Sequence, residues 1–254
     1  AGLALAGSTG LHAFDCLLAA QTARCSLVTG ELAEADTWLA MMGKTMRSHS
    51  HLNGAFYRHF QSNAAAQRGD WQQALDHARS GMAMALESGV PFLEAHCHIE
   101  LARALLGCGD GSEWAEHIDA ARSIGQAMSS RVVDYLCLEA EATAAFKHGE
   151  EGLGRERLVQ ALALSHAMDG PTWLMAGPQA SARLYECALA AGIEVDHVRR
   201  LIRRHRLMPP EPATAAESWP WPIRVYTLGR FEILCDDQPL HSSGKAQHKP
   251  LELL

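Results

Sequence analysis

Several groups of side chains in this 254-residue chain are of types that could do chemistry. Met42-Gly43-Lys44-Thr45 has the ending of a phosphate-binding loop, in which backbone N–H groups cradle phosphate oxygens and a lysine reaches the outer phosphates. That loop needs a glycine five residues before Gly43, where Trp38 stands, and a strand in front of it, where the pattern is helical. No nucleotide site is therefore expected there. Fourteen histidines raise the question of a metal. His96-Cys97-His98 falls on a helical pattern, where adjacent side chains diverge by about 100° and cannot share one ion. His96 and Glu100 share a face, but two ligands do not make a zinc site. The expectation is exposed helix-face histidines, and the same holds for His49-Ser50-His51 at a turn. The paired carboxylates Glu139/Glu141 and Glu150/Glu151 are expected on solvated helix faces or turns. No GxSxG elbow or local cysteine signature marks a nucleophile, so no catalytic, cofactor-binding or metal residue is assigned and no enzyme is expected. An α-helical enzyme would need acidic or histidine side chains gathered by the fold into a groove.

The remaining cluster is basic. Arg199, Arg200, Arg203, Arg204 and Arg206 crowd a helix expected over 193–207. Cations near a helix C-terminus are stabilised by the macrodipole. Val195, Val198, Leu201 and Ile202 keep one apolar face for packing. Two readings stand: a capping helix whose polar outer face closes a repeat array, and a docking surface for nucleic acid or an acidic partner domain.

The elements that must position these residues recur. Breaks fall at Gly30, Gly69, Gly109, Gly149 and Gly192, spaced 39, 40, 40 and 43 residues. A second series, Gly10, Ser50, Gly89, Ser130 and Gly170, is spaced 40, 39, 41 and 40. Two interleaved series with one period describe a unit of about 40 residues holding two helices. Trp71, Ala74, Leu75, Ala78, Met82, Ala85 and Leu86 form one apolar stripe, as do Val133, Leu136, Cys137, Ala140 and Ala144. One such hairpin cannot bury its apolar face alone, so the units must stack. The fold class expected is mainly α: a tetratricopeptide-like α-solenoid of about five two-helix repeats over residues 1–208. Residues 1–7 fit the tail of a further pair.

Five of the ten prolines, Pro209, Pro210, Pro212, Pro220 and Pro222, mark 209–222 as a Pro-rich linker. Its Trp-Pro pairs allow either a plain spacer or an end that docks. Past it, Ile223, Val225 and Thr227 alternate with Arg224, Tyr226 and Leu228, and Phe231, Ile233 and Cys235 with Glu232, Leu234 and Asp236. Asp236-Asp237 turns into a short Gln238-Pro239-Leu240 strand. HSSGKAQH reads as a loop, and a helix is expected from Lys249-Pro250. Residues 223–254 are too few for a stable domain, so they are expected to be the N-terminal part of a truncated one.

WPWPIRVYTLGRFEILCDDQPL…KAQHKPLELL resembles the first sheet and first helix of an OmpR-type winged-helix DNA-binding domain. AGIEVDHVRRLIRRHRLMPP and GLALAGSTGLHAFDCLLAAQTA resemble the repeat region of large bacterial transcriptional activators similar to the maltose-regulon activator family. The resemblance implies an ATPase upstream, with its ATP, a repeat superhelix that binds a protein or small-molecule effector, and DNA contact through a complete C-terminal domain, with oligomers of the full-length protein open. TLGRFE and KPLELL carry the specific part. Asp236-Asp237 stands where such domains often have Asp-Gly. No recognition helix is present, so no base-contacting residue is named. The alternative reading is a helical-repeat protein–protein interaction adaptor with no transcriptional role.

Composition agrees with a reduced, cytoplasmic chain and with no membrane partner, and the resemblance implies a bacterial source. The net charge is −7, mean hydropathy is −0.10, and no run approaches the roughly 18 apolar residues of a membrane span. Seven single cysteines form neither a CxxC pair nor a disulfide framework. Residues 223–254 carry four basic and four acidic side chains, which points to poor DNA binding by this stretch alone.

Overall fold

Several helices begin or end where a side chain or a glycine gives the backbone a reason to. Gly30 and Gly109, both at φ 80°, take the left-handed conformation that lets a chain leave a helix without a Cβ penalty. The Ser50, Asp70 and Ser130 side chains accept the N–H of the third residue onward, satisfying one orphaned donor each. Pro91 and Pro178 open their helices, where a missing N–H costs nothing.

The computed structural model describes residues 2–10, 12, 14–46, 50–109, 113–169, 176–212, 218–228 and 232–240. Among them are α1 (Gly2–Thr9), α2 (Asp15–Thr29), α3 (Leu32–Thr45), α4 (His51–Gln67), α5 (Trp71–Ser88), α6 (Pro91–Cys108), α7 (Glu113–Ala127), α8 (Arg131–Lys147), α9 (Glu151–Ala167), α10 (Pro178–Ala190) and α11 (Val195–His205). Consecutive helices pack as antiparallel pairs, α2 with α3 through to α10 with α11. The first members α2, α4, α6 and α8 also pack on one another and form an inner row, while α3, α5, α7 and α9 form the outer row. This is a TPR-like α-solenoid. α11 is shorter than the 193–207 expected, because Glu194 (φ 44°) and Arg206 (φ 51°) bound it in left-handed conformations.

The core is divided as a stack requires. One cluster joins α2, α3 and α4 (Ala23, Leu39, Met42, Phe60), the next α4 to α6 (Leu75, Ala78, Leu93, Leu105), the next α6 to α8 (Ile99, Ile118, Val133, Leu136). Alanine dominates these contacts and lets the backbones approach closely. The stripe on α8 is fully buried; on α5, Trp71 and Leu86 lie at its margins and are exposed. The stack also curls back on itself. Gly30 touches the Pro178 ring, Gly177 touches the Gln67 side chain, and Val28 packs against the last cluster, so the fifth pair meets the first.

After α11 the chain returns to the body. Pro209, Trp219 and Pro220 are buried, and Trp219 (1% exposed) sits among Tyr185, Leu189, Leu201, Ile202 and Leu207. Strands β1 (Ile223–Tyr226), β2 (Glu232–Cys235) and β3 (Gln238–Pro239) form an antiparallel meander in the order β1-β2-β3, with Ile223 opposite Cys235 and Leu234 opposite Pro239. His49, Gly170, the middle of TLGRFE, HSSGKAQH and the helix expected from Lys249 lie outside the described residues.

Candidate functional site

The inner row carries a buried polar chain that crosses the repeats. The Ser62 hydroxyl of α4, which donates to the Ala74 carbonyl at 2.9 Å, lies 3.4 Å from the Glu100 carboxyl of α6. Glu100 lies 3.9 Å from Arg103 one turn on, and Arg103 donates to Glu139 of α8 at 2.7 Å. Tyr135 donates to the other Glu139 oxygen at 3.3 Å, and Tyr185 of α10 adjoins Tyr135. Glu100 and Glu139 are 2% and 3% exposed. Burial pushes the Glu100 carboxyl up to about 7, with Arg103 pulling the other way. Burial likewise raises Glu139, against the pull of Arg103. His59, enclosed beside His96, is pushed down to about 3 by burial.

Two expectations are corrected here. His96 is buried and His98 half-buried rather than exposed, because His96 packs against Phe92 and against His59 of the neighbouring α4; Cys97 between them is buried in the α4–α6 core. Burial pushes the Cys97 thiol up to about 12, which leaves it unreactive. Glu139 is enclosed and paired with Arg103 rather than solvated, whereas Glu141 is half-buried between Arg122 and Arg157. Glu150 and Glu151 are exposed, as expected. Sequence reasoning missed Arg103 and its two acids. The available signal was the 39-residue interval between Glu100 and Glu139, which puts them at one position of consecutive units.

The remaining histidines make pairs. His98 and His117 face each other with Nδ1 atoms 2.9 Å apart, so one ring must be neutral to accept; burial, then His117, pushes His98 down to about 4. Among the described residues no three His, Cys, Asp or Glu side chains converge with metal-holding geometry. Ser165 and His197 hydrogen-bond at 2.8 Å, and His166 stacks on His197 at 4.8 Å while pairing with Glu194. Ser165 is fully buried, so this dyad ties α9 to α11 and meets no substrate. His51 pairs with Glu87 at 2.5 Å. Gly43 and Lys44 lie in the last turn of α3, with Gly43 against Tyr57, so the backbone there has no phosphate-cradling shape.

The α11 arginines divide by partner. Arg199 donates to the Ser218 carbonyl at 3.1 Å and Arg204 to the Asp169 carbonyl at 3.0 Å. Arg203 pairs with Asp237 and lies 4.0 Å from Asp236. Arg200 and Arg206 are exposed. Asp237 is also 3.5 Å from Arg224, which donates to the Trp219 carbonyl.

Neither a protein-family model nor a curated protein sequence matches the chain. One solved structure is similar in repeat architecture: a Podosopora anserina protein of kinesin light chain type with nearly identical TPR-like repeats. It is 20% identical, with 74% of this chain and 92% of that chain covered and a TM-score of 0.42. The assignment to TPR-like solenoids rests on the helix pairs themselves. Among the described residues no helix is long and apolar enough to cross a membrane.

Proposed function

We propose that the chain is the interaction region of a bacterial transcriptional regulator. Its repeats bind a partner and pass that event to a DNA-binding domain that begins at the strand segment; an ATPase and its ATP lie upstream in such proteins. The observation that carries this reading is the join between the two parts. The strand meander follows the last helix pair directly and is tied to it through Trp219, Arg203 and Arg224, so a shift of α11 would move the strands with it. The resemblance of TLGRFE to the winged-helix opening supplies the DNA-binding assignment. The filled inner face favours a protein partner on the outside over a small molecule in a groove.

A survey with the intact chain tests this. Thermal shifts against a metabolite panel and an affinity pull-down from the source cell should return a protein partner that raises the melting temperature when purified and added back. Small-molecule stabilisation with no protein partner would move the reading to an effector sensor, and neither would remove the interaction role. A plain adaptor remains the second reading, favoured by the TPR-like fold alone.

A further inference from the structure

The turn between β2 and β3 breaks a local rule. Asp236 (φ 48°) and Asp237 (φ 64°) are consecutive residues in the left-handed region, the geometry of a type I′ hairpin, whose second position favours glycine. An aspartate there is strained, and the hairpin's own ladder is short, with Leu234 opposite Pro239 and Cys235 opposite Gln238. The offset lies across the chain: the Asp237 carboxylate sits between Arg203 of α11 and Arg224 of β1, and Asp236 approaches the same Arg203. Meanwhile no described residue of β1, β2 or β3 enters a hydrophobic core cluster, and Ile223, Val225 and Leu240 are exposed. Apolar burial therefore anchors the chain at Trp219 but does not fix the sheet.

We propose that the arginine face of α11 is a docking surface whose occupant is this chain's own Asp236-Asp237 turn, forming an ionic latch that sets the orientation of the strand segment on the solenoid. Trp219 is the permanent anchor, with Pro220 buried and Trp221 packed beside it, and the strands pivot from Pro222 onward. The latch is part-exposed, with Arg203 35% and Asp237 31% open to solvent, so salt screens it. This inference rests on the same join that carries the regulatory reading, and the distance measurement reads the latch alone while the partner survey reads the regulatory role.

The test is a distance measurement on the full chain. Spin labels go at Leu228 and at Ala163 on α9, both exposed, with Cys25, Cys108, Cys187 and Cys235 replaced by serine. At low salt the distance distribution should be single and narrow. At about 1 M salt, where the screening length falls to about 3 Å, it should broaden at least roughly twofold. Asp237→Asn, which keeps a residue tolerant of positive φ, and Arg203→Gln should broaden it at low salt. Arg203→Lys should restore most of the narrow component, and Arg131→Gln, a charge loss elsewhere, should change nothing. An unchanged narrow distribution in the parent at high salt overturns the latch, whatever the variants do. If Asp237→Asn unfolds the hairpin, judged by lost amide protection in β2, the salt series on the parent still decides.

Discussion

Glu100 shows how a repeat fold handles a buried charge. Its carboxyl, raised to about 7 from an ordinary 4.5, holds a proton in the folded chain that the unfolded chain has released between those values. Its contribution to stability is therefore present below about pH 4.5 and is lost as pH rises towards 7. Glu100→Gln keeps the shape and removes the titration. Melting curves should show the variant gaining on the parent by on the order of 2 kcal/mol between pH 5 and pH 8. The depressed histidines His59 and His98 act in the opposite sense but are common to both proteins and cancel in the difference. A variant-to-parent gap that stays flat across this range would show that Glu100 does not titrate there. In the sequence Glu100 stood as an i, i+4 neighbour of His96 and 39 residues before Glu139, but its burial was not legible. Its burial depends on Ser62 and Arg103, and through Arg103 on Glu139, a contact spanning 36 residues.

The helices were legible, and the reason is local. Glycine or serine marks every break, and the same breaks recur at a 40-residue interval, so each pair could be placed before its neighbours were known. What the pattern did not contain was how pairs adapt to one another at equivalent positions. Residues 67, 107 and 147 are such a set. Gln67 donates to the Leu27 carbonyl and Lys147 to the Leu106 carbonyl, each bonding the preceding inner helix. At Gly107 no such bond is possible, and the Trp71 indole lies flat on the backbone, 2.0 Å from where a Cβ would be. Gly107→Ala should therefore displace Trp71 and cost about 1–3 kcal/mol. In a Trp71→Ala background the same change should become neutral or favourable by up to about 1 kcal/mol, because alanine is the better helix former. Denaturant melts of the four proteins read this reversal. Additive effects would mean that the ring does not need the glycine.

The arrangement of the body as a whole was the least legible part. The sequence pattern established a stack of hairpins but not its pitch, and pitch decides whether the inner face opens into a groove or closes. Here Gly30 meets Pro178 and Gly177 meets Gln67, so the first and fifth pairs touch and the inner polar chain is enclosed. The arginine cluster was visible as a run of charges. Its partners were not, since the Ser218 carbonyl, Asp237 and the Asp169 carbonyl come from three separate segments. The strand segment was read correctly as short strands, although Ile223 and Val225 of the expected apolar face are exposed, and its docking through Trp219 required the α10 and α11 surfaces to exist first. Together these features describe a solenoid whose last helix carries a small three-stranded sheet. Reading the coding sequence that follows Leu254 tests the regulatory account most directly. It predicts a helix-turn-helix with a basic recognition helix within about 60 residues. A stop codon at that point, or an unrelated domain, would contradict it and leave the adaptor.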